Sequence, residues 1–400
     1  MGILVGVTGS IAAYKTATIV SSLAKRGTEV QVVLSDRGCE FISPLTFATL
    51  SRRPAYTDRD FWQSGHGRPL HISLGEWAEV FLIAPLSANS LAKLALGLAD
   101  NLLLNTVLAS RCPIVLAPAM NTEMWQQPIV QTHVKQLQAQ ERFIFIMPTG
   151  GVLACDTIGT GRMAEPDTIL DTLTSVIITK GKQDLKGKRI LVTAGGTREH
   201  IDAVRFIGNP ATGKQGRAIA QAACHRGAEV TLVSANGAQM PECQTIGVST
   251  ATEMEKVLAA EFPRHDWLIM AAAVGDVRPV KSVNYKIPKE ELISFLSLEL
   301  IPDLVGNLCR HKRPEQKVIG FAAQTGTDGE IIAQGRQKLL AKQLDGIMIN
   351  AIDRSYTGFG SDTNSGFFLD RQERIKSYPL VSKLELAHLL LNDILELEQE

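Results

Sequence analysis

The chain has 400 residues, 45% of them hydrophobic and 20% charged, and its 41 basic residues balance 41 acidic ones. That composition excludes a disordered polar chain, and zero net charge argues against a protein that coats nucleic acid or acidic membrane. The length allows two or three domains, each with a core of its own.

Residues 3–7 form an apolar run closed by Thr8-Gly9-Ser10, and a helical pattern follows over 11–25 until Gly27. Residues 29–34 read as a second strand, 80–84 as a third, 90–95 as a helix and 114–117 as a further strand. Continuous apolar strands alternating with helices predict a parallel sheet covered on both faces, in a first domain spanning 1–179. Residues 180–189 are polar, basic and punctuated by glycine, the composition of a linker. The same grammar then restarts over 190–400, with strands at 190–193 and 229–234 and a helix at 214–226. Further strands are expected at 266–271 and 317–321, and an acidic amphipathic helix at 384–397. The expected fold class is α/β: two three-layer domains with mostly parallel sheets, flavodoxin-like or Rossmann-like in the first and Rossmann-like in the second.

Six cysteines (Cys39, Cys112, Cys155, Cys224, Cys243 and Cys309) lie far apart, with neither CxxC nor zinc-knuckle spacing. They describe no disulfide scaffold, so a reducing compartment is expected. The N-terminus has no basic leader pattern, and the apolar stretch 101–119 is broken by Asn105, Arg111 and two prolines. A soluble cytoplasmic protein with no membrane and no nucleic-acid partner is the expectation.

Several glycine-rich turns carry candidate chemistry. Gly6-Val7-Thr8-Gly9-Ser10 lets backbone amides approach an anion at a helix start, although a structural βα turn would use the same residues. Gly208-Asn-Pro-Ala-Thr-Gly213-Lys214-Gln215 is nearly a P-loop, but Gln215 stands where a hydroxyl should hold magnesium. A phosphate loop built on Asn209, Thr212 and backbone amides remains open. Asn121, after Pro118-Ala119-Met120, can cap a helix or aim its amide at a carboxylate. A glycine-rich loop over 150–163 holds Cys155 and Arg162 and is costly to order without a ligand. Asp276 follows an expected strand end and precedes Arg278, Lys281, Lys286 and Lys289, a pattern suited to a triphosphate and magnesium or to a solvated face. Phe321 offers a stacking ring, and Lys338 with Lys342 share a helix face.

In combination these residues resemble the bifunctional phosphopantothenoylcysteine decarboxylase/phosphopantothenate–cysteine ligase family of coenzyme A biosynthesis. The likeness runs through Gly9-Ser10-Ile11-Ala12-Ala13-Tyr14-Lys15, Pro85-Leu86-Ser87-Ala88-Asn89-Ser90, His71-Ile-Ser-Leu-Gly and Pro118-Ala-Met-Asn121. It continues through the Cys155 flap with Gly159 to Met163, then Thr193 to Glu199, Arg205-Phe-Ile-Gly-Asn209 and Ala272-Ala-Val-Gly-Asp276. The resemblance implies FMN at Gly9, Ser10, Ile11, Ser35, Ser87, Ala88 and Asn89. It implies decarboxylase roles for His71, Asn121 and Cys155, with Arg162 and Met163 covering the substrate.

For the ligase half it implies Asn209 and Lys286 as catalytic residues. Ala271, Ala272, Ala273, Asp276, Ile301, Pro302, Asp303, Leu304, Phe321, Lys338 and Lys342 would handle the nucleotide, and Asp276 magnesium. The implied substrates are 4′-phosphopantothenate, cysteine and CTP. The implied assembly is a homo-oligomer of trimeric flavin domains and dimeric ligase domains, possible as a dodecamer. Asp156 departs from the family pattern after the flap cysteine, so a stiffer flap or an altered acidity of Cys155 is expected. Pro288, Ile301 and Gln324 depart from it in the second half, so a slower or differently tuned ligase is expected. The rival readings are a phosphatase-binding regulator, which the Cys155 flap and complete second domain oppose, and a dinucleotide oxidoreductase, which the missing GxGxxG opposes.

Overall fold

The computed structural model describes residues 2–63, 67–152, 158–354 and 360–398. The chain divides into two compact units, Met1–Lys182 and Gln183–Glu400.

In the first unit the apolar runs become β1 (Gly2–Val7), β2 (Glu29–Leu34), β3 (Ala55–Tyr56), β4 (Val80–Leu86), β5 (Ile114–Pro118) and β6 (Phe143–Phe145). They form one parallel sheet in the order β3-β2-β1-β4-β5-β6. Strand periodicity sends alternate side chains to opposite faces. Ile3, Val5 and Val7 accordingly pack with Ile19, Leu23, Ile169 and Leu173 from the helices Ala13–Lys25 and Pro166–Thr179. Leu4, Phe81 and Ile83 pack on the other side with Leu91, Leu103 and Val107. Both faces are covered, which is why the strands carry almost no polar alternation. An antiparallel hairpin, β7 (Thr149–Val152) and β8 (Ile158–Arg162), stands apart from the sheet.

The second unit begins with β9 (Arg189–Ala194), the hairpin β10 (Arg198–His200) and β11 (Phe206–Gly208), β12 (Glu229–Ser234), β13 (Gln244–Gly247) and β14 (Trp267–Met270). A second hairpin, β15 (Val277–Pro279) and β16 (Leu298–Leu300), precedes β17 (Lys317–Gln324), β18 (Gly346–Ala351), β19 (Thr363–Asp370) and β20 (Ile375–Ser382). The main sheet runs β13-β12-β9-β14-β17-β18-β19-β20. Every join from β13 to β18 is parallel, and β18-β19-β20 close it antiparallel.

Counted within each unit, the six parallel strands share one order, 3-2-1-4-5-6, the doubly wound order of dinucleotide-binding folds. The α/β class with mostly parallel sheets is thus as expected. The antiparallel extension is new, because residues 363–382 mix polar and apolar side chains and contain a register shift between Asn364 and Gly366. Of the polar stretch 180–189, the part from 183 onward packs into the second unit. Leu185 is fully buried, and Asp184 forms a bidentate pair with Arg226 at 2.7 Å.

Candidate functional sites

A doubly wound sheet leaves a crevice beyond the carboxyl ends of its first and fourth strands, where the winding reverses. In the first unit those ends are β1 and β4. Thr8 Oγ1 ties them, donating to the Pro85 carbonyl at 2.7 Å and accepting the Ser87 amide at 2.8 Å. Gly9 follows β1, and a Cβ there would lie 2.6 Å from Cβ of Arg37, so only a bare backbone fits. Ser35 ends β2 and caps the helix Asp36–Cys39 through the Gly38 amide. Ser87 ends β4 and accepts the Ser90 amide at the start of the helix Ala88–Leu96, whose first turn holds Asn89. Gly9, Ser35 and Ser87 thus sit at the ends of three adjacent strands.

Beside them lies a cavity of about 510 Å³ bordered by Ser10, Ile11, Lys15, Asn121, Arg162 and Met163. Its size is that of a small-molecule or cofactor site. Asn121 caps the helix Thr122–Gln126 by accepting the Glu123 amide at 2.8 Å, as its capping reading expects, and it also borders the cavity. The return strand β8 is seated on the same loop. Gly161 accepts the Met120 amide at 3.0 Å, and a Cβ on Gly161 would lie 2.3 Å from the Met120 oxygen. Glu165 then gathers the two cations of the cavity wall, Lys15 Nζ at 2.8 Å and Arg162 Nη2 at 3.2 Å. The Lys15 ammonium holds the Glu165 carboxyl below its ordinary range.

His71 lies in the helix Leu70–Trp77 with Phe61 edge-on at 5.4 Å, and it does not border this cavity. Its buried Nδ1 has no hydrogen-bond partner among the described residues. Cys155 and Asp156 lie outside the described residues.

The second unit repeats the crevice with β9 and β14. Gly196 bridges to Ala273 between the strand ends. Gly213, at φ 75°, caps the helix Lys214–His225, and a Cβ on Gly216 would lie 2.5 Å from the Thr193 oxygen. The helix start is therefore drawn tightly onto β9, with its free amides at the crevice. The cavity there is about 150 Å³, bordered by Thr212, Lys214, Ala271–Ala273, Phe321, Asn350 and Lys383. Lys214 Nζ reaches Asp362 at 2.6 Å and the Gly360 carbonyl at 3.0 Å, while Lys383 Nζ donates to the Ser361 carbonyl. Burial, then the neighbouring Lys214 charge, lowers the Lys383 pKa. Neither Lys383 nor Asn350 is singled out by any motif, since they meet Thr212 only through the fold.

The remaining nucleotide candidates separate into groups. Asn209 Nδ2 donates to the Val274 carbonyl at 3.5 Å, placing it against the Ala271–Ala273 edge. Asp276 accepts the Ile301 amide through its backbone oxygen at 3.0 Å. Pro302 is followed by Asp303, which caps the helix Leu304–His311 and pairs with Lys342 at 2.8 Å. Burial opposes that charge, but Lys342 and the Gly306 amide hold the Asp303 carboxyl below its ordinary range. Lys338 is exposed one turn before Lys342, and Lys286 is exposed on a segment without helix or strand. Ile301 packs against the apolar cluster that includes Leu304. Among the described residues no group of three His, Cys, Asp or Glu side chains could hold a metal, and no helix is long and apolar enough to cross a membrane.

Comparison with known proteins covers both units. Residues 1–178 match the family described as Flavoprotein, and residues 185–397 match the DNA/pantothenate metabolism flavoprotein C-terminal domain. The chain is 37% identical over 403 residues to the coenzyme A biosynthesis bifunctional protein CoaBC of Bacillus subtilis (strain 168), covering 100% of this chain and 97% of that one. It is 36% identical over 399 residues to the protein of that name in Vibrio cholerae serotype O1, covering 98% of each. A solved C-terminal domain of a CoaBC protein is 33% identical, covering 55% of this chain and 100% of its own, with a TM-score of 0.46.

Proposed function

The chain belongs to the family of bifunctional coenzyme A biosynthesis proteins, and on that premise we propose which residues of its two units carry the two reactions. It is an enzyme with a flavoprotein decarboxylase unit and a ligase unit. The observation that carries the assignment is the pair of cavities, one at each unit's sheet-edge crevice.

FMN would be held at the first crevice, by the backbone of Gly9, Ser10 and Ile11 and by Ser35 and Ser87 to Asn89 at the neighbouring strand ends. The bare backbone at Gly9 and the 510 Å³ cavity fit such a group. A bound flavin would supply the two-electron oxidation of the cysteinyl thiol that makes loss of carbon dioxide possible, and would return the same two electrons so that the product is again a saturated thiol. Asn121 orients the substrate carboxylate. Arg162 and Met163 cover the substrate, and β8 keeps them seated on the Asn121 loop. Cys155 delivers a proton to the ene-thiolate left after decarboxylation. His71 assists at the carboxylate, in an assembly in which a second copy of the chain completes the site. Trimeric flavin units, dimeric ligase units and a cytoplasmic location belong to the same reading.

In the second unit CTP activates the carboxylate of 4′-phosphopantothenate, releasing pyrophosphate, and the cysteine amine attacks the acyl-cytidylate, forming the amide and expelling CMP. The nucleotide phosphates lie over the start of the helix Lys214–His225, with Thr212, Lys214 and Lys383 as donors. Lys286 neutralises charge growing at the α-phosphate, and Asn209 holds the intermediate. Ala271–Ala273, Phe321 and the 301–304 segment shape the nucleotide pocket, with Lys338 and Lys342 beside it. Asp276 would provide a carboxylate for magnesium carried in with the nucleotide.

The test is purified chain mixed with 4′-phosphopantothenate, cysteine, CTP and magnesium. A flavin absorbance spectrum with release of both pyrophosphate and carbon dioxide is expected. Cys155→Ser is expected to release carbon dioxide yet stall before 4′-phosphopantetheine, and normal product from that variant refutes the Cys155 role.

A further inference from the structure

One carboxylate of the second unit is wholly buried. The Asp202 side chain has 0% exposure. Its Oδ1 accepts the Val204 amide at 2.8 Å and the Arg205 amide at 2.7 Å, and its Oδ2 accepts the Ile287 amide at 3.2 Å, Arg205 Nε at 2.9 Å and Arg205 Nη2. Arg205 Nη2 also donates to the Ile287 carbonyl at 2.7 Å. Both backbone groups of Ile287 are therefore held by one ion pair, and its side chain is buried as well.

The two segments joined in this way are 85 residues apart. Arg205 leads directly through β11 to Asn209, and Ile287 directly follows Lys286. Residues 281–291 contain no helix or strand, so ties of this kind decide where their backbone lies. A long, flexible lysine on an untethered loop would sample many positions, whereas a fixed backbone confines its ammonium. The Arg205 guanidinium, with the amides of Arg205, Val204 and Ile287, holds the Asp202 carboxyl far below its ordinary range, so the tie stays ionic at neutral pH. Buried ion pairs contribute little net stability over apolar packing, which points to geometry as the gain.

We propose that Asp202 is a positioning residue of the ligase: through Arg205 and Ile287 it fixes the backbone of Lys286 relative to that of Asn209. The proposal rests on the roles given above to Lys286 and Asn209. A displacement of about 1 Å at such a site costs on the order of 100-fold in rate.

The experiment measures steady-state pyrophosphate release by the full chain with 4′-phosphopantothenate, cysteine, CTP and magnesium, for Asp202→Asn, Lys286→Ala and the double variant. Asp202→Asn is expected to lower kcat roughly 10- to 100-fold while the KM for CTP moves less than about threefold. In the Lys286→Ala background the same change is expected to cost less than about threefold, because the group being positioned is gone. Hydrogen exchange is expected to rise over residues 283–289 while β9 and β14 stay protected. Should Asp202→Asn melt the second unit, Arg205→Lys, which keeps the charge but loses the fork, is expected to show the same non-additivity. Unchanged release by Lys286→Ala overturns the Lys286 assignment and the proposal with it. Impaired Lys286→Ala beside a wild-type Asp202→Asn, or fully additive losses, overturns the positioning role alone.

Discussion

The two units wind six parallel strands in the same order and open a crevice at the same point, yet they enclose different spaces there. The first crevice opens beside a cavity of about 510 Å³, partly walled by the arm β7–β8, with Lys15 and Arg162 gathered by Glu165. The second cavity is about 150 Å³ and is drawn in by the glycine-led helix start and by two lysines from distant segments. Strand order decides where a ligand can sit, while the added hairpins and cations decide which ligand that is.

Acid should separate the two units most strongly. Burial lowers the pKa of His225 to about 4 and, with the Arg226 and His225 charges, that of His388 to about 3. Their ordinary value is 6.5, so below it the unfolded chain takes up protons that the folded unit refuses. Each pH unit below that value costs about 1.4 kcal/mol per histidine until the folded values are reached. The second unit is therefore expected to unfold first between pH 6 and 4 on this ordinary scale. Residue-resolved hydrogen exchange would check it, and simultaneous loss of both units would refute it.

A smaller effect is expected from steric change at the crevices. Gly216→Ala places a methyl 2.5 Å from the Thr193 oxygen, and Gly161→Ala places one 2.3 Å from the Met120 oxygen. Overpacking of this kind costs about 1–3 kcal/mol. Gly216→Ala should weaken CTP binding and leave the flavin spectrum intact, and Gly161→Ala should do the reverse, as calorimetry and absorbance would report.

Lys383→Ala should raise the KM for CTP by roughly tenfold, the value of one charge-assisted hydrogen bond. An unchanged KM, or one insensitive to salt, would remove Lys383 from the phosphate site. Glu165→Gln should have the least effect on stability, roughly 0.2–1 kcal/mol, because its carboxylate is half exposed. Its folded pKa is depressed, so this contribution is present above the ordinary 4.5 and fades as pH falls through the folded value. A thermal melt that differs equally at pH 7 and pH 3 would contradict it.

Much of the frame was legible before any coordinates. Residues 29–34 and 229–234 are strands with the expected bounds, because each is a short run rich in β-branched and apolar residues that follows a glycine-marked helix end. The helix expected over 11–25 starts at Ala13, because residues 10–12 turn at the crevice instead. The strands β19 and β20 were not legible, since one strand lies at the sheet edge and the pair carries an irregular register. Asn121, Gly213 and Phe321 were visible as candidates, but Lys383 was not, because a lysine at a helix start looks like any solvated lysine.

The amino-acid sequence by itself determined the two α/β units, their parallel cores and the family motifs, because hydrophobic periodicity and glycine spacing are local properties. Only the tertiary structure decided which candidates meet. It put Thr212 beside Lys383, tied Asp303 to Lys342, and left Lys286 exposed beside an Ile287 held from another segment. Those pairings depend on chain crossings between residues far apart in sequence, and no local pattern encodes the distance between them.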